Sequence, residues 1–290
     1  AMGSPCQIHA MDEEQAKLDK FVEECRQQVL SMERKYSRYR TDSILTKINQ
    51  SAGKRSIEID AETFALLNYA QVCYEQSNGL FDITSGVLRN LWNSETTRFP
   101  SQKDFDEHLQ KIGFSMIEFN DREIFLPVTG MELDFGGIVK EYAADALVAI
   151  ARRQGICFGL INLGGDIAII GPRASGAPWL FGITHPVIKG RSIATIPLSS
   201  GSLTTSGGYE RFVEIEGERY SHLLNPKTGI PFKSILSASV IADQAIVAGS
   251  IASIALLNEE PDGLKWLEKC DVPYLAIKKN LECIGSLAGN

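Results

Sequence analysis

The chain predicts an α+β fold in which helices and strands mix without strict βαβ alternation. Three observations carry this expectation. Apolar residues recur at helical spacing early in the chain, short β-type runs joined at glycines dominate its middle, and the tail closes on a helix and two further strand-like runs. A length of 290 residues suits one large domain or two small ones. No repeat, low-complexity stretch or linker divides the chain, so residues 1–290 are read as a single domain.

Residues 12–36 predict an amphipathic helix, with Leu18, Phe21, Val22, Cys25 and Val29 set at helical spacing between charged positions. The stretch 37–53, SRYRTDSILTKINQSAG, reads as a polar connection. A second helix is expected from about Ala61 to Gln76, with Asp60 placed to cap its start and Asn78-Gly79 supplying a left-handed exit. After FDITSG comes a short helical piece, VLRNLW. Residues 95–128 read as mixed and loop-rich, with Pro100, the polar run QKDFDEH and a strand EIFLP. MELDFGG reads as a strand ending in glycines and feeding a helix, IVKEYAADALVAIARRQ, stopped by Gly155; its apolar stripe includes Ile138, Tyr142, Ala146, Leu147 and Ile150. The β-type runs CFGLINL, DIAIIG, LFGITHP and IATIPL follow. RFVEIEGERYSHLL predicts a hairpin turning at Glu216-Gly217. Then come the strand SASVIA, a small-residue helix over about 244–257, a helix GLKWLEKC, and the strands YLAI and ECIG.

Composition narrows the function classes. Lys and Arg total 29 against 36 Asp and Glu, a formal charge of -7 with no basic block, which argues against nucleic acid and anionic membrane surfaces as partners. No apolar run approaches the ~18 residues of a membrane span. The six cysteines, Cys6, Cys25, Cys73, Cys157, Cys270 and Cys283, are scattered without Cys-x-x-Cys spacing, so structural zinc and a disulfide framework are not expected. The opening AMGSPCQIHAMDEEQ carries no leader pattern. A cytoplasmic location is the expectation, with an exported form whose leader has been removed as the open alternative.

Five constellations are candidates for chemistry. In LDFGGIVK, Leu133 to Lys140, a carboxylate and two glycines stand at a predicted strand-to-helix junction with a lysine one turn inside. The helix start favours an anion there; otherwise Asp134 caps the helix and Lys140 is solvated. INLGGD, Ile161 to Asp166, is either a phosphate cradle or a hairpin turn. TSGGYER, Thr205 to Arg211, gathers hydroxyls, glycines and an arginine on one loop. In YSHLLNPKTG, Tyr220 to Gly229, His222 ends a strand before a turn and is placed either as a general base or as a structural residue. FDITSG, Phe81 to Gly86, either lines a ligand slot or uses Asp82 and Thr84 to cap the helix that follows.

The order of these segments is more specific than any one of them. SRYRTDSILTKIN, NGLFDITSGVLRNLW, LDFGGIVKEYAADAL, INLGGDIAIIG, TTSGGYERF and YSHLLNPKTGIP in succession resemble the flavin transferase (ApbE) family, from Met2 to about Leu257. The resemblance implies a mixed α/β unit of two closely joined lobes with FAD between them. It implies transfer of FMN from FAD to a threonine hydroxyl of an acceptor flavoprotein, with release of AMP. By motif, FAD contacts fall on Met2, Tyr39, Leu80, Phe81, Asp82, Asp134, Lys140 and Leu223. The flavin or phosphate loop falls on Thr205, Ser206 and Gly207, and the catalytic base on His222. A backbone contact to Mg2+ falls on Gly137.

The sequence also departs from the family pattern. Where the family carries Ala-Asp-x-x-x-Thr to hold magnesium, this chain reads AGSIAS, so Gly249 replaces the aspartate and Ser253 the threonine. Losing that carboxylate is expected to weaken the metal site, since Mg2+ is usually held by one or two carboxylates plus phosphates. Restoring it as Gly249→Asp is expected to reveal whether the site is disabled or rerouted. Glu141 stands in place of a glycine after Lys140 and is a candidate for the missing charge. Asn225 and Gly208 each replace an aspartate. Two alternatives to the transferase stay open: an FAD-binding protein with lost or weakened catalysis, and an FAD pyrophosphatase giving FMN and AMP.

Overall fold

The structure, a computed structural model, describes residues 2–93, 95–96, 98–208, 212–232 and 235–289. The first third of the chain runs β1 (Cys6–Met11), α1 (Gln15–Tyr36), α2 (Ile44–Gln50), β2 (Ile57–Glu58), α3 (Ala61–Gln76) and α4 (Gln102–Leu109). The middle runs β3 (Glu118–Phe119), β4 (Glu123–Phe125), α5 (Val139–Arg153), β5 (Phe158–Leu163), β6 (Asp166–Gly171), β7 (Trp179–Thr184), β8 (Ser192–Leu198) and β9 (Ser202–Gly207). The chain ends with β10 (Phe212–Ile215), β11 (Glu218–Ser221), β12 (Ser237–Ala242), α6 (Ala245–Leu257), α7 (Asp262–Lys269), β13 (Tyr274–Ile277) and β14 (Cys283–Ile284).

Local chemistry explains most of these elements. α1 buries Phe21, Cys25, Val29, Met32 and Tyr36 along one stripe, while Val22 lies on its outer face. Asp60 caps α3 by accepting from the Thr63 amide at 2.9 Å, and Asn78 and Gly79 leave it with φ of 52° and 80°. The hairpin β10–β11 turns at Glu216-Gly217, both left-handed.

Several elements differ from the sequence reading. Cys6–Met11, where no strand is expected, is β1 and pairs with β5, and Thr205 to Gly207, read as part of a loop, end the strand β9 because that segment pairs with β12. The polar run after Ser101 is α4, because Ser101 and Asp104 form a reciprocal capping box and Phe105 anchors the helix inward. The stretch 37–53 contains α2, capped by Ser43 and held by buried Leu45 and Ile48. MELDFGG is no strand. Its backbone is held by the Asn49 side chain, which donates to the Leu133 carbonyl and accepts from the Leu133 amide, and by the Ile83 carbonyl, which accepts from the Asp134 amide. The Asn49 clasp and a single parallel bridge between Ser85 and Glu132 stand in place of a ladder, and the chain turns at Gly136 and Gly137.

The main sheet has the order β1-β5-β6-β9-β12-β13-β14, and every neighbouring pair is antiparallel. Both faces are covered. Along β6, Ile167 and Ile169 pack toward the β7–β8 hairpin, while Ala168 between them joins the larger core formed with α1, α3 and α5. That is the period of two expected of a strand. The small-residue helix α6 is buried along most of its length between α5 and the sheet, its Ala248, Ala252 and Ala255 packing on Val240 of β12. Gln244 offers no side-chain cap to α6. Asp145 of α5 reaches across instead, accepting from the amides of Ala245 and Ile246 at 2.8 and 2.9 Å. No helix among the described residues is long and apolar enough to cross a membrane.

Candidate functional site

Six segments from distant parts of the chain wall one cavity of about 250 Å³. Leu80, Phe81, Asp82, Ser85 and Gly86 come from the loop after α3, and Arg89 from the 3-10 turn that follows. Asp134, Gly136 and Gly137 form the turn into α5, whose first residues add Lys140 and Glu141. Gly164 and Asp166 come from the β5–β6 turn, and Thr205, Ser206 and Gly207 from the end of β9. His222 and Leu223 follow β11, and Ser253 and Leu257 come from α6.

Each constellation takes a definite form here. Asp134 does not cap α5. Its Oδ1 accepts from the Gly136 amide at 2.8 Å, and its Oδ2 is gripped by Arg38 at 3.1 Å and Arg89 at 2.9 Å. Arg38 also pairs with Glu132 at 3.2 Å. The backbone of Gly86 runs so close to this carboxylate that a Cβ there would lie 2.9 Å from the Asp134 Cβ. Asp82 and Thr84 do not cap a helix either. Asp82 accepts from the Thr84 amide and hydroxyl at 2.8 and 2.6 Å and from the Phe114 amide at 3.1 Å, while Thr84 accepts from the Gly113 amide at 2.8 Å. Burial raises the Asp82 carboxyl above its usual range, with the three hydrogen bonds opposing. Asp82 thus staples the loop that carries Leu80 and Phe81 into the cavity wall.

Gly164-Gly165 is the hairpin turn between β5 and β6, with both glycines left-handed at φ of 66° and 99°. The turn also brings a carboxylate into the site, because Asp166, 4% exposed, forms an ion pair with Lys140. Lys140 is therefore not a solvated surface lysine. On the opposite wall, the Thr205 hydroxyl pairs with Ser239 at 2.8 Å across β9 and β12, and the Ser206 hydroxyl pairs with Ser253 at 2.9 Å. The remainder of TSGGYER, Tyr209 to Arg211, lies outside the described residues. His222 is placed by the turn after it. Asn225 accepts from the Lys227 amide at 2.8 Å through its side chain and from the Gly229 amide at 2.7 Å through its carbonyl. Asparagine supplies the acceptor oxygen this turn needs, as aspartate would.

Glu141 is the most unusual group in the cavity. It is 6% exposed, and its Oε2 has no hydrogen-bond partner among the described residues. Burial, and then the neighbouring Asp166 charge, push its carboxyl up to about 8. Asp166 is likewise raised by burial, with Lys140 pulling it back. The Glu141 side chain lies against Gly249 of α6: a Cβ at Gly249 would stand 2.7 Å from Glu141 Cγ and 3.1 Å from Oε1. Gly249→Asp on its own is therefore a collision, not a simple restoration of a carboxylate.

The cavity thus collects Leu80, Phe81, Asp82, Asp134, Gly137, Lys140, Thr205, Ser206, Gly207, His222, Leu223 and Ser253. Met2 and Tyr39 do not line it. Met2 packs on the main core while its amide donates to Glu33 at 2.6 Å, and Tyr39 is 85% exposed. Arg89 is absent from the sequence candidates, and Asp166 enters them only as the end of INLGGD, without the ion-pair role it has here. Asp166 carried a usable signal, an acidic residue directly after a glycine pair, whereas Arg89 sits in an ordinary helical pattern.

Known proteins resemble this chain along nearly its whole length. A protein of Treponema pallidum named FAD:protein FMN transferase is 29% identical over 290 residues, covering 90% of this chain and 80% of the relative. One of the same name from Vibrio cholerae is 27% identical over 272 residues, covering 91% and 79%. The crystal structure of the ApbE protein of Thermotoga maritima superposes with a TM-score of 0.91 at 29% identity, covering 99% of this chain and 94% of that one. Residues 2–276 match the model of the ApbE family, and this chain belongs to that family.

Proposed function

We propose that this chain is an FAD:protein FMN transferase that moves FMN from FAD to a threonine hydroxyl of an acceptor flavoprotein and releases AMP. The observation that carries the reading is the single cavity where Lys140, the start of α5, the hydroxyl-rich end of β9 and His222 meet. Opening a diphosphate requires an anion hold, neutralisation of charge on the leaving oxygen, and a base for the incoming hydroxyl. The positive end of α5 and the Lys140 ammonium meet the first requirement. Thr205 and Ser206 add hydroxyl donors on the facing wall, and Gly136 and Gly137 let the backbone approach the phosphates closely. His222 takes the proton of the acceptor hydroxyl. Leu80, Phe81 and Leu223 form the apolar side against which a flavin ring packs.

The reading includes a divalent cation, Mg2+, and the cavity has the oxygen donors for one. Gly137 and Ser253 line it, with a backbone carbonyl and a hydroxyl to offer, and the buried wall carries two carboxylates, one of them with no hydrogen-bond partner at Oε2 among the described residues. When bound, the ion stabilises charge on the diphosphate oxygens. The residues 1–290 act in this reading as one domain.

The test is incubation of the purified chain with FAD, Mg2+ and an acceptor protein carrying an exposed threonine. AMP release matched by flavin attached to the acceptor is the expected result. AMP with free FMN identifies a pyrophosphatase, flavin binding without AMP identifies a binding protein, and no flavin binding removes the reading altogether.

A further inference from the structure

We infer that Glu141 is the carboxylate ligand of the divalent cation, extended from α5 into space that Gly249 leaves open on α6. The inference rests on the reading of the cavity as a metal-assisted diphosphate site, and three observations on this chain support it. A buried carboxylate oxygen normally has a hydrogen-bond donor, and leaving one unmatched is costly. Glu141 Oε2 has none among the described residues, although Glu141 lines the cavity. The other carboxylate on this wall, Asp166, is already engaged by Lys140, so Glu141 is the one with an open coordination position.

The second observation concerns space. Gly249 and Ser253 are one helical turn apart on α6 and share a face. Ser253 lines the cavity, and the glutamate side chain covers the position where a side chain at 249 would begin. The Glu141 carboxylate, with Oε1 3.1 Å from that Cβ position, thus lies about one helical turn from Ser253, whose hydroxyl pairs with Ser206. Third, the two positions compete for one space. With Glu141 Cγ 2.7 Å from an ideal Cβ on residue 249, a side chain at 249 requires Glu141 to leave its present place. Glycine at 249 is then the condition that lets Glu141 reach the ion, rather than the loss of a site.

The experiment is a reciprocal exchange read by metal binding rather than turnover. Mn2+, a hard paramagnetic stand-in, is titrated into the full chain by electron paramagnetic resonance, and FAD binding is measured separately in EDTA by flavin fluorescence. Wild type should bind one Mn2+. Glu141→Gln, which keeps the shape and removes the charge, should weaken it at least about tenfold, since even indirect partners of a metal typically cost that much. Gly249→Asp alone should also weaken it, while the double variant E141G/G249D should recover most of the loss. Mn2+ binding unaltered in Glu141→Gln, tighter binding in Gly249→Asp alone, no recovery in a folded double variant, or no Mn2+ binding by wild type would each overturn the assignment. The flavin titration fails independently: absent FAD binding with Glu141-dependent Mn2+ binding removes the proposed function and leaves the ligand assignment standing.

Discussion

Replacing Asp134 should both loosen the fold and impair flavin binding, and the structure sets the size of the effect. The carboxylate is 12% exposed and holds three donors: the Gly136 amide, Arg38 and Arg89. A neutral amide bond contributes about 1 kcal/mol, and a charge-assisted bond from a mostly buried guanidinium about 1.5–3. Arg89 is 44% exposed and screened by water, so its share is no more than about 1 kcal/mol. Arg38 keeps Glu132 as a second partner at 3.2 Å, which reduces its loss. Together Asp134→Ala should cost roughly 3 kcal/mol and Asp134→Asn, which keeps one acceptor oxygen, roughly 2. Urea unfolding followed by circular dichroism gives the stability, and FAD titration of the folded variants gives the affinity. A cost under about 1 kcal/mol for the alanine variant would refute the view that this carboxylate organises the turn into α5. Unchanged FAD affinity would refute its role in the proposed site.

Three further outcomes are expected. The Glu141 carboxyl is raised from 4.5 to about 8, so the native state binds the extra proton and stability from this group, full below about pH 4.5, is lost as pH rises toward 8. In EDTA, Glu141→Gln should therefore melt above wild type at pH 8 and close to it at pH 4.5, and parallel melting curves across that range would contradict the burial argument. Asp145→Ala leaves the Ala245 and Ile246 amides at the start of α6 without an acceptor and should cost roughly 2–3 kcal/mol in urea unfolding; a cost near zero would mean water replaces the cap. Asp60→Ala should cost about 1 kcal/mol as a lost helix cap. Although burial opposes ionisation, Lys35 and Thr63 hold the Asp60 carboxyl at about 2, so its contribution is present above about pH 4 and fades as pH falls toward 2. The cost of the variant should shrink over that window, and a constant cost would contradict the assignment.

Local pattern in the sequence determined the parts of this protein that depend on near neighbours. The stripe of α1, the Asp60 cap and glycine exit of α3, the helix α5 ending at Gly155 and the hairpin at Glu216-Gly217 all follow from periods of 3.6 or 2 and from turn chemistry. Motif order carried the family, and with it Asp134, Lys140, Thr205 and His222 as candidates for one site. Tertiary structure decided what depends on side chains distant in the chain. β1 finds its partner only in β5, so its six residues show no strong local signal. The predicted strand before α5 gave way because Asn49 occupies the backbone groups of Leu133. Sequence also marked Gly249 as a lost carboxylate and Glu141 as a candidate for the missing charge, but only the packing of α5 against α6 shows that one side chain fills the space beside the other. Such a relation is a matter of excluded volume between two helices, and no periodicity within either helix encodes it.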